Sequence, residues 1–195
     1  MGFQVGDKVI HCTHGMGEIV AIEQKTIRGL PTSCYVVRIH DLMIWIPIDD
    51  LQQHGLRLPA RPEEFVGLFD ILTGPCEQLQ EDRLLRKDQL MSQLRDGQLA
   101  SLCRLIRDLT CYKRTSKLND QENSILERAT NSLLTEWTYS LGVPLDQAQQ
   151  AMTNLLEHES VNSHVRQNQQ AETSLQKSAH ARAPLEARGP QDRPG

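Results

Sequence analysis

Near residue 60 the hydrophobic pattern of the chain changes period, and this change constrains the fold more than any other feature. Up to about residue 50, short runs of branched and aromatic residues (KVIHC, EIVAIEQKTI, CYVVRI and LMIWIPI) are separated by the turn signals HGMG, RGLP and HD. Side chains that alternate across a pleat bury one face of a strand, so these runs predict four or five antiparallel strands. In LMIWIPI, Leu42, Ile44, Ile46 and Ile48 alternate with Met43, Trp45 and Pro47, giving a core face and an open face. Pro47 has no N–H for a ladder and belongs at an edge or a strand end. From residue 65 onward apolar residues recur at helical spacing instead: Phe65, Leu68, Phe69 and Leu72, then Leu84, Leu90, Met91 and Leu94, then Leu99, Leu102, Cys103, Leu105, Ile106 and Leu109. Between the two regimes LRLPARPEEF reads as a connector into a helix, with Pro62 in its first turn and Glu63 and Glu64 near its positive end.

The expected fold class is therefore α+β. With tight glycine turns at Gly15, Gly17 and Gly29, residues 1–60 close most economically as a small, strongly bent β-barrel of the SH3 or Tudor type. Residues 61–158 form a compact bundle of four or five helices. Gly97 and Gly142 are placed to end helices, Pro144 to open the last one, and Asn119 with Glu122 three residues later forms a capping-box start for a helix reaching about Leu141. Residues 159–195 turn to Gln, Asn, Ser, Ala, Arg and Pro, cannot bury enough surface to offset their ordering entropy, and are expected to be a disordered tail.

The formal net charge of -4 argues against a nucleic-acid partner, yet it averages over an asymmetry. Between positions 83 and 117, nine basic residues stand against three acidic ones, enough for a local basic stripe. Within it Arg104 and Asp108 have the i,i+4 spacing of a helical ion pair. No apolar run approaches the roughly 18 residues that suggest a membrane span, and no signal peptide is legible, so a cytoplasmic protein without a membrane partner is expected. The five cysteines, odd in number and irregularly spaced, suit reduced thiols better than a disulfide framework.

Chemistry-bearing motifs are sparse. His11, Cys12 and His14 are metal-ligand types, but on a strand His11 and Cys12 point to opposite faces and no second pair lies at ligand spacing. HGMGE lacks the lysine and helix of a phosphate-cradling loop and reads as a turn. Without a nucleophile elbow, a cooperating acid pair or HExxH, the expectation is a non-enzyme with no cofactor, no metal and no small-molecule substrate.

The run FQVGDKVIHCTHGMGEIVAIEQKTIRG resembles the opening of the CarD/CdnL family of bacterial transcription regulators: an aromatic, GD-x-V, a short strand, HG-x-G and an isoleucine-rich strand. The strand ending in Ile46-Pro47, the GL-R motif from Gly55 to Arg57, the helix after Pro62 and the block DGQLASLCRLIRDL keep the family's order, so the resemblance spans roughly residues 1–158. It implies a Tudor-like domain that binds the RNA polymerase β subunit and is shared with the transcription-repair coupling factor. It also implies a helical domain that contacts promoter DNA, through phosphate backbone and minor groove, at the upstream edge of the melted region and stabilises the open complex. Association with the nucleoid would follow from polymerase.

At the polymerase-facing edge the candidates are Lys25, Trp45 and Pro47; Trp45 stands where the family often carries a basic residue. For DNA they are Arg83, Leu84, Arg86, Lys87, Lys113 and Arg114. The family's minor-groove wedge is a tryptophan, and its position falls on Arg83, or on Leu84 or Leu85 with a shifted alignment. Trp137 does not replace it, because it lies among the leucines of the capped helix. The alternative reading is a polymerase-binding adaptor that has lost DNA engagement.

Overall fold

The computed structural model describes residues 2–50 and 55–157; the tail read at 159–195 lies outside them. Five strands, β1 (Lys8–His11), β2 (Gly15–Ile27), β3 (Leu30–Ile39), β4 (Leu42–Pro47) and β5 (Leu56–Arg57), form one antiparallel sheet in the order β4-β3-β2-β1-β5. The connections follow from local chemistry. Ile27 faces Leu30 across the two-residue turn Arg28-Gly29, where both residues take the positive φ that matches the twist of a hairpin. Ile39 faces Leu42 across His40-Asp41. A register shift between Ile19 and Ala21 marks a bulge in β2, beyond which the β2–β3 hairpin runs out with its far end exposed. That core holds Val9, Ile19, Tyr35, Val37, Ile39, Ile46 and Leu56, and Phe3 packs edge-on against Tyr35. The fold is α+β with a Tudor-like N-terminal module.

Helices α1 (Glu64–Leu72), α2 (Arg83–Arg95), α3 (Leu99–Thr115) and α4 (Asp120–Leu141) follow, and the chain is helical again from 145 to 157. The capping box forms as read: Asn119 Oδ1 accepts from Glu122 N and Glu122 Oε2 accepts from Asn119 N, both at 2.9 Å, worth about 1 kcal/mol. Their second core surrounds Leu90, Leu105, Leu109 and Leu133, with Trp137 against Phe65 and Phe69. On the sheet Leu42, read on the core face, is exposed at the start of β4; in the helices two further positions depart from the expected spacing. Leu84, counted with the core leucines, is exposed, because α2 buries Arg86, Leu90 and Leu94 and Leu84 sits roughly 200° round the wheel from Arg86. Asp108 pairs with its neighbour Arg107 at 2.7 Å rather than with Arg104.

A polar joint ties the two cores together. Arg57 of β5 donates Nη1 and Nη2 to the two carboxylate oxygens of Glu136 on α4, at 2.6 and 2.8 Å, and its Nε to Gly97 O at 2.8 Å. Glu136, only 1% exposed, also accepts from Ala60 N at 2.8 Å. Gly55 and Gly97 close on Cys12 from two sides: a Cβ on either would lie 2.5 Å from Cys12 Sγ or 2.7 Å from its Cβ, respectively, and both glycines have positive φ. This explains the GL-R motif, in which the glycine permits close approach, the leucine enters the β core and the arginine reaches the bundle.

The expectation of five thiols fails for two of them. Cys76 and Cys111 are disulfide-bonded, because the segment after α1 folds back along α3 and brings their Cα atoms to 6.5 Å. Cys34 and Cys103 are buried thiols and Cys12 is half-buried. Burial pushes the Cys103 thiol up to about 12, leaving about one molecule in ten thousand as thiolate at pH 8. Native alkylation is therefore expected to modify Cys12 while Cys34 and Cys103 stay unlabelled until the protein is unfolded. Peptide mass spectrometry reads the outcome, and native labelling of Cys103 would contradict it.

Candidate functional site

Two surfaces gather the residues singled out from the sequence. The first is the β4 border of the sheet. β4 pairs only with β3 among the described residues, so its other side offers unpaired backbone groups, and Pro47 ends it. Trp45 faces Val36 on β3, and its indole extends over β3 to the long β2 strand. There Nε1 donates to Glu23 Oε2 at 3.0 Å, and Lys25 Nζ lies 3.8 Å from the ring centroid. Glu23 and Lys25 are two residues apart on one strand and so present the same face. The ring is held at its Nε1 edge and over one face yet stays 38% exposed, with Met43 exposed two residues before it on the same face of the strand. Fixed orientation with one free face is what an aromatic anchor needs, since little rotamer entropy is then lost on docking. Lys25 is committed to this cation–π contact, worth about 0.5–1 kcal/mol at an exposed site.

Farther down the same sheet Glu18 receives Lys8 at 2.9 Å and Arg38 at 3.4 Å. The Lys8 hydrogen bond and charge, with Arg38 adding to them, hold its carboxyl below the usual carboxylate range. What this pairing adds to stability is complete above the ordinary carboxylate pKa and fades as pH falls through the lowered one.

The second surface is the end of the bundle where α2 starts and α3 finishes. Asp82 caps α2, its Oδ1 accepting from Leu84 N at 2.8 Å and Leu85 N at 3.0 Å. The carboxylate thus fills the positive end of the helix, and a phosphate here would have to be met by side chains instead. Arg83 and Lys87 are exposed and able to do so. Leu84 and Leu85 stand between them 72% and 59% exposed, two adjacent leucines with no core to enter. Arg86 contacts Tyr112 with its guanidinium 5.2 Å from the ring, so the first turn of α2 adjoins the last turn of α3, where Lys113 and Arg114 are exposed. Those two cations also complement the negative end of α3, and Arg114 donates to Leu156 O at 2.7 Å.

Arg86 itself does not belong to this surface. It is 6% exposed, donates Nε to Glu122 Oε1 at 2.7 Å and Nη1 to Gln80 O at 2.7 Å, and has no face turned to solvent that could meet a phosphate. Arg107 is internal too. Burial works against its charge, but the hydrogen bond and charge of Asp108, joined by Glu77, outweigh burial and raise its pKa. The basic stripe thus presents fewer charges than its composition suggests. Around His11, whose Nδ1 accepts from Thr13 N and His14 N at 3.1 and 3.3 Å, the histidines serve a turn. Among the described residues no three His, Cys, Asp or Glu side chains are grouped to hold a metal ion. No helix among them is long and apolar enough to cross a membrane.

Comparison with known families assigns the two modules separately and in order. Residues 3–58 match the CarD-like/TRCF RID domain, and residues 67–153 match the CarD C-terminal domain. The chain belongs to the CarD family. A CarD-family relative, "Putative transcription factor YdeB" of Bacillus subtilis (strain 168), is 26% identical over 147 residues, which span 72% of this chain and 94% of that protein. CarD proteins are transcription factors rather than enzymes, and their N-terminal module is the part that interacts with RNA polymerase. In this CarD-family chain, that module carries the Trp45 face, and the second carries the leucine pair.

Proposed function

We propose that this CarD-family protein docks on the β subunit of RNA polymerase through the free border of β4, with Trp45 as anchor and Lys25 and Pro47 beside it. From there it presents the start of α2 to the upstream edge of the melted promoter and lengthens the life of the open complex. The exposed Leu84-Leu85 pair at a capped helix start, flanked by Arg83 and Lys87, carries the DNA half of this reading. An apolar wedge of this kind can enter an unstacked base step, while the neighbouring cations, with Lys113 and Arg114 across the helix junction, hold phosphates without reading sequence. No reaction is catalysed in this scheme and no cofactor takes part.

The capping carboxylate of Asp82 and the internal use of Arg86 favour a second reading, an adaptor that keeps polymerase and leaves DNA alone. Binding to forked promoter DNA, with and without polymerase and across a salt series, separates the two. A DNA-contacting regulator is expected to lose about one unit of salt slope on Lys87→Ala. With Leu84→Ser and Leu85→Ser together, the open complex decays faster at an unchanged slope. Trp45→Ala is expected to weaken polymerase binding about ten- to a hundredfold with either DNA. Unchanged DNA behaviour in the α2 variants, alongside the Trp45 loss, would establish the adaptor; intact polymerase binding by Trp45→Ala would remove the docking face from both.

A further inference from the structure

Between α1 and α2 the segment 74–82 runs without regular secondary structure and leads directly into the Asp82 cap. Several ties fasten it. Glu77 N donates to Asp108 Oδ1 at 2.9 Å, Arg107 reaches Glu77 Oε1 at 3.3 Å, and Arg86 holds Gln80 O. The Glu77 side chain is largely exposed, so its ion pair adds little in water. Among the described residues the one covalent tie is Cys76–Cys111, which closes a sequence separation of 35 residues and fastens the segment to the last turns of α3. Neither cysteine is deeply buried, and a groove of about 600 Å³ opens beside them, lined also by Glu77, Asp108 and Tyr112. Cys34 and Cys103, by contrast, are buried in the two modules.

We propose that Cys76 and Cys111 are a reversible dithiol–disulfide pair, whose oxidation clamps the 74–82 segment, and with it the capped start of α2, against the end of α3. Opening it takes a dithiol reductant. One thiolate of that reductant attacks a sulfur of the pair, forming a mixed disulfide and releasing the other cysteine as thiolate, which takes a proton from water. The reductant's second thiol then displaces the remaining cysteine, so the reductant leaves as a disulfide and two electrons have passed to the protein. Closure is the reverse exchange with a small-molecule disulfide. The long closed loop is where a cross-link restricts the open chain most, and the half-buried place of both cysteines on the wall of an open groove gives a reductant a route to them in the folded protein.

Its consequence for DNA rests on the wedge reading of Leu84 and Leu85; the clamp itself does not. The full chain, equilibrated at graded ratios of reduced to oxidised dithiothreitol, is quenched, alkylated and read by peptide mass spectrometry. Cys76 and Cys111 are expected to become labelled together in one transition, with Cys103 unlabelled throughout. Amide hydrogen exchange across 74–87, measured without DNA, should quicken about tenfold or more on reduction while the middle of α4 keeps its protection. Cys76→Ser should match the reduced protein under both conditions, and Cys111→Ser gives the same reading from the other side. Independent labelling of the two thiols, reduction only on global unfolding, or identical exchange in both states would overturn the proposal. Should exchange respond while forked-DNA binding does not, the clamp stands and the wedge reading is at fault.

Discussion

Replacing Glu136 by alanine is expected to cost about 3–5 kcal/mol of folding free energy, a large part of the roughly 5–15 kcal/mol that holds a domain together. The physical reason is asymmetric. With both partners present, the Arg57 guanidinium meets the carboxylate in a two-pronged contact, and Ala60 N is satisfied by the same oxygen. Remove the carboxylate and the largely buried guanidinium loses its counter-charge, keeping only the carbonyls of Gly97 and Leu58, while Ala60 N loses its acceptor. Arg57→Met combined with Glu136→Leu is expected to cost less than the sum of the single changes, since no orphaned charge is left behind. Arg61→Ala, which breaks only the exposed 4.0 Å pair with Glu64, should cost less than about 1 kcal/mol. Urea unfolding read by fluorescence adds a second test, because the two tryptophans report separately: Trp45 on the sheet and Trp137 in the bundle. The native protein should show one shared transition, and Glu136→Ala two, the joint having been cut. A wild-type midpoint for Glu136→Ala would mean that the joint contributes nothing.

This joint marks where reading the sequence reaches its range. Features decided within a turn of chain were legible: the Asn119–Glu122 cap, the helix-ending Gly97 and Gly142, the hairpin turns at Arg28-Gly29 and His40-Asp41, and the edge position of Pro47. The alternation in LMIWIPI turns Trp45 outward and Ile46 inward as read, but Leu42, on the expected core face, is exposed at the start of the strand. What stayed hidden were choices among partners distant in sequence. Arg86 reads as one more cation in a basic stretch because its carboxylate, Glu122, lies 36 residues away and is also accounted for by the cap. Asp108 had a helical partner at the right spacing in Arg104, but the approach of Glu77 from the preceding segment makes a buried site that Arg107 shares. Cys76 and Cys111 belong to no spacing motif; only the return of the chain along α3 joins them. Leu84 shows the limit of periodicity, since seven residues before the half-buried Met91 it fits a helical count, yet it faces water once α2 is rotated to bury Arg86, Leu90 and Leu94.

Arg86→Ala is the change that tests this distinction most sharply, and it is expected to act on folding rather than on DNA. Four elements meet on this guanidinium: α2 carries it, Gln80 and Glu81 of the preceding segment accept from it, Tyr112 of α3 lies under it, and Glu122 of α4 balances its charge. Truncation leaves Glu122 buried and unpaired at the very residue that closes the α4 capping box, so the loss should be about 3–5 kcal/mol. Lysine should not rescue it, because a single ammonium cannot serve carboxylate and carbonyl in the directions a planar fork does. Lys87→Ala, one residue along but exposed, should change the unfolding free energy by no more than about 0.5 kcal/mol and, under the proposed DNA contact, spend its effect on the salt dependence of that binding. Measured on protein shown to be folded at low temperature, Arg86→Ala should keep the wild-type salt slope. A lowered slope at wild-type stability would instead mean that Arg86 leaves Glu122 to meet phosphate, and the internal tie described here would not be its working state.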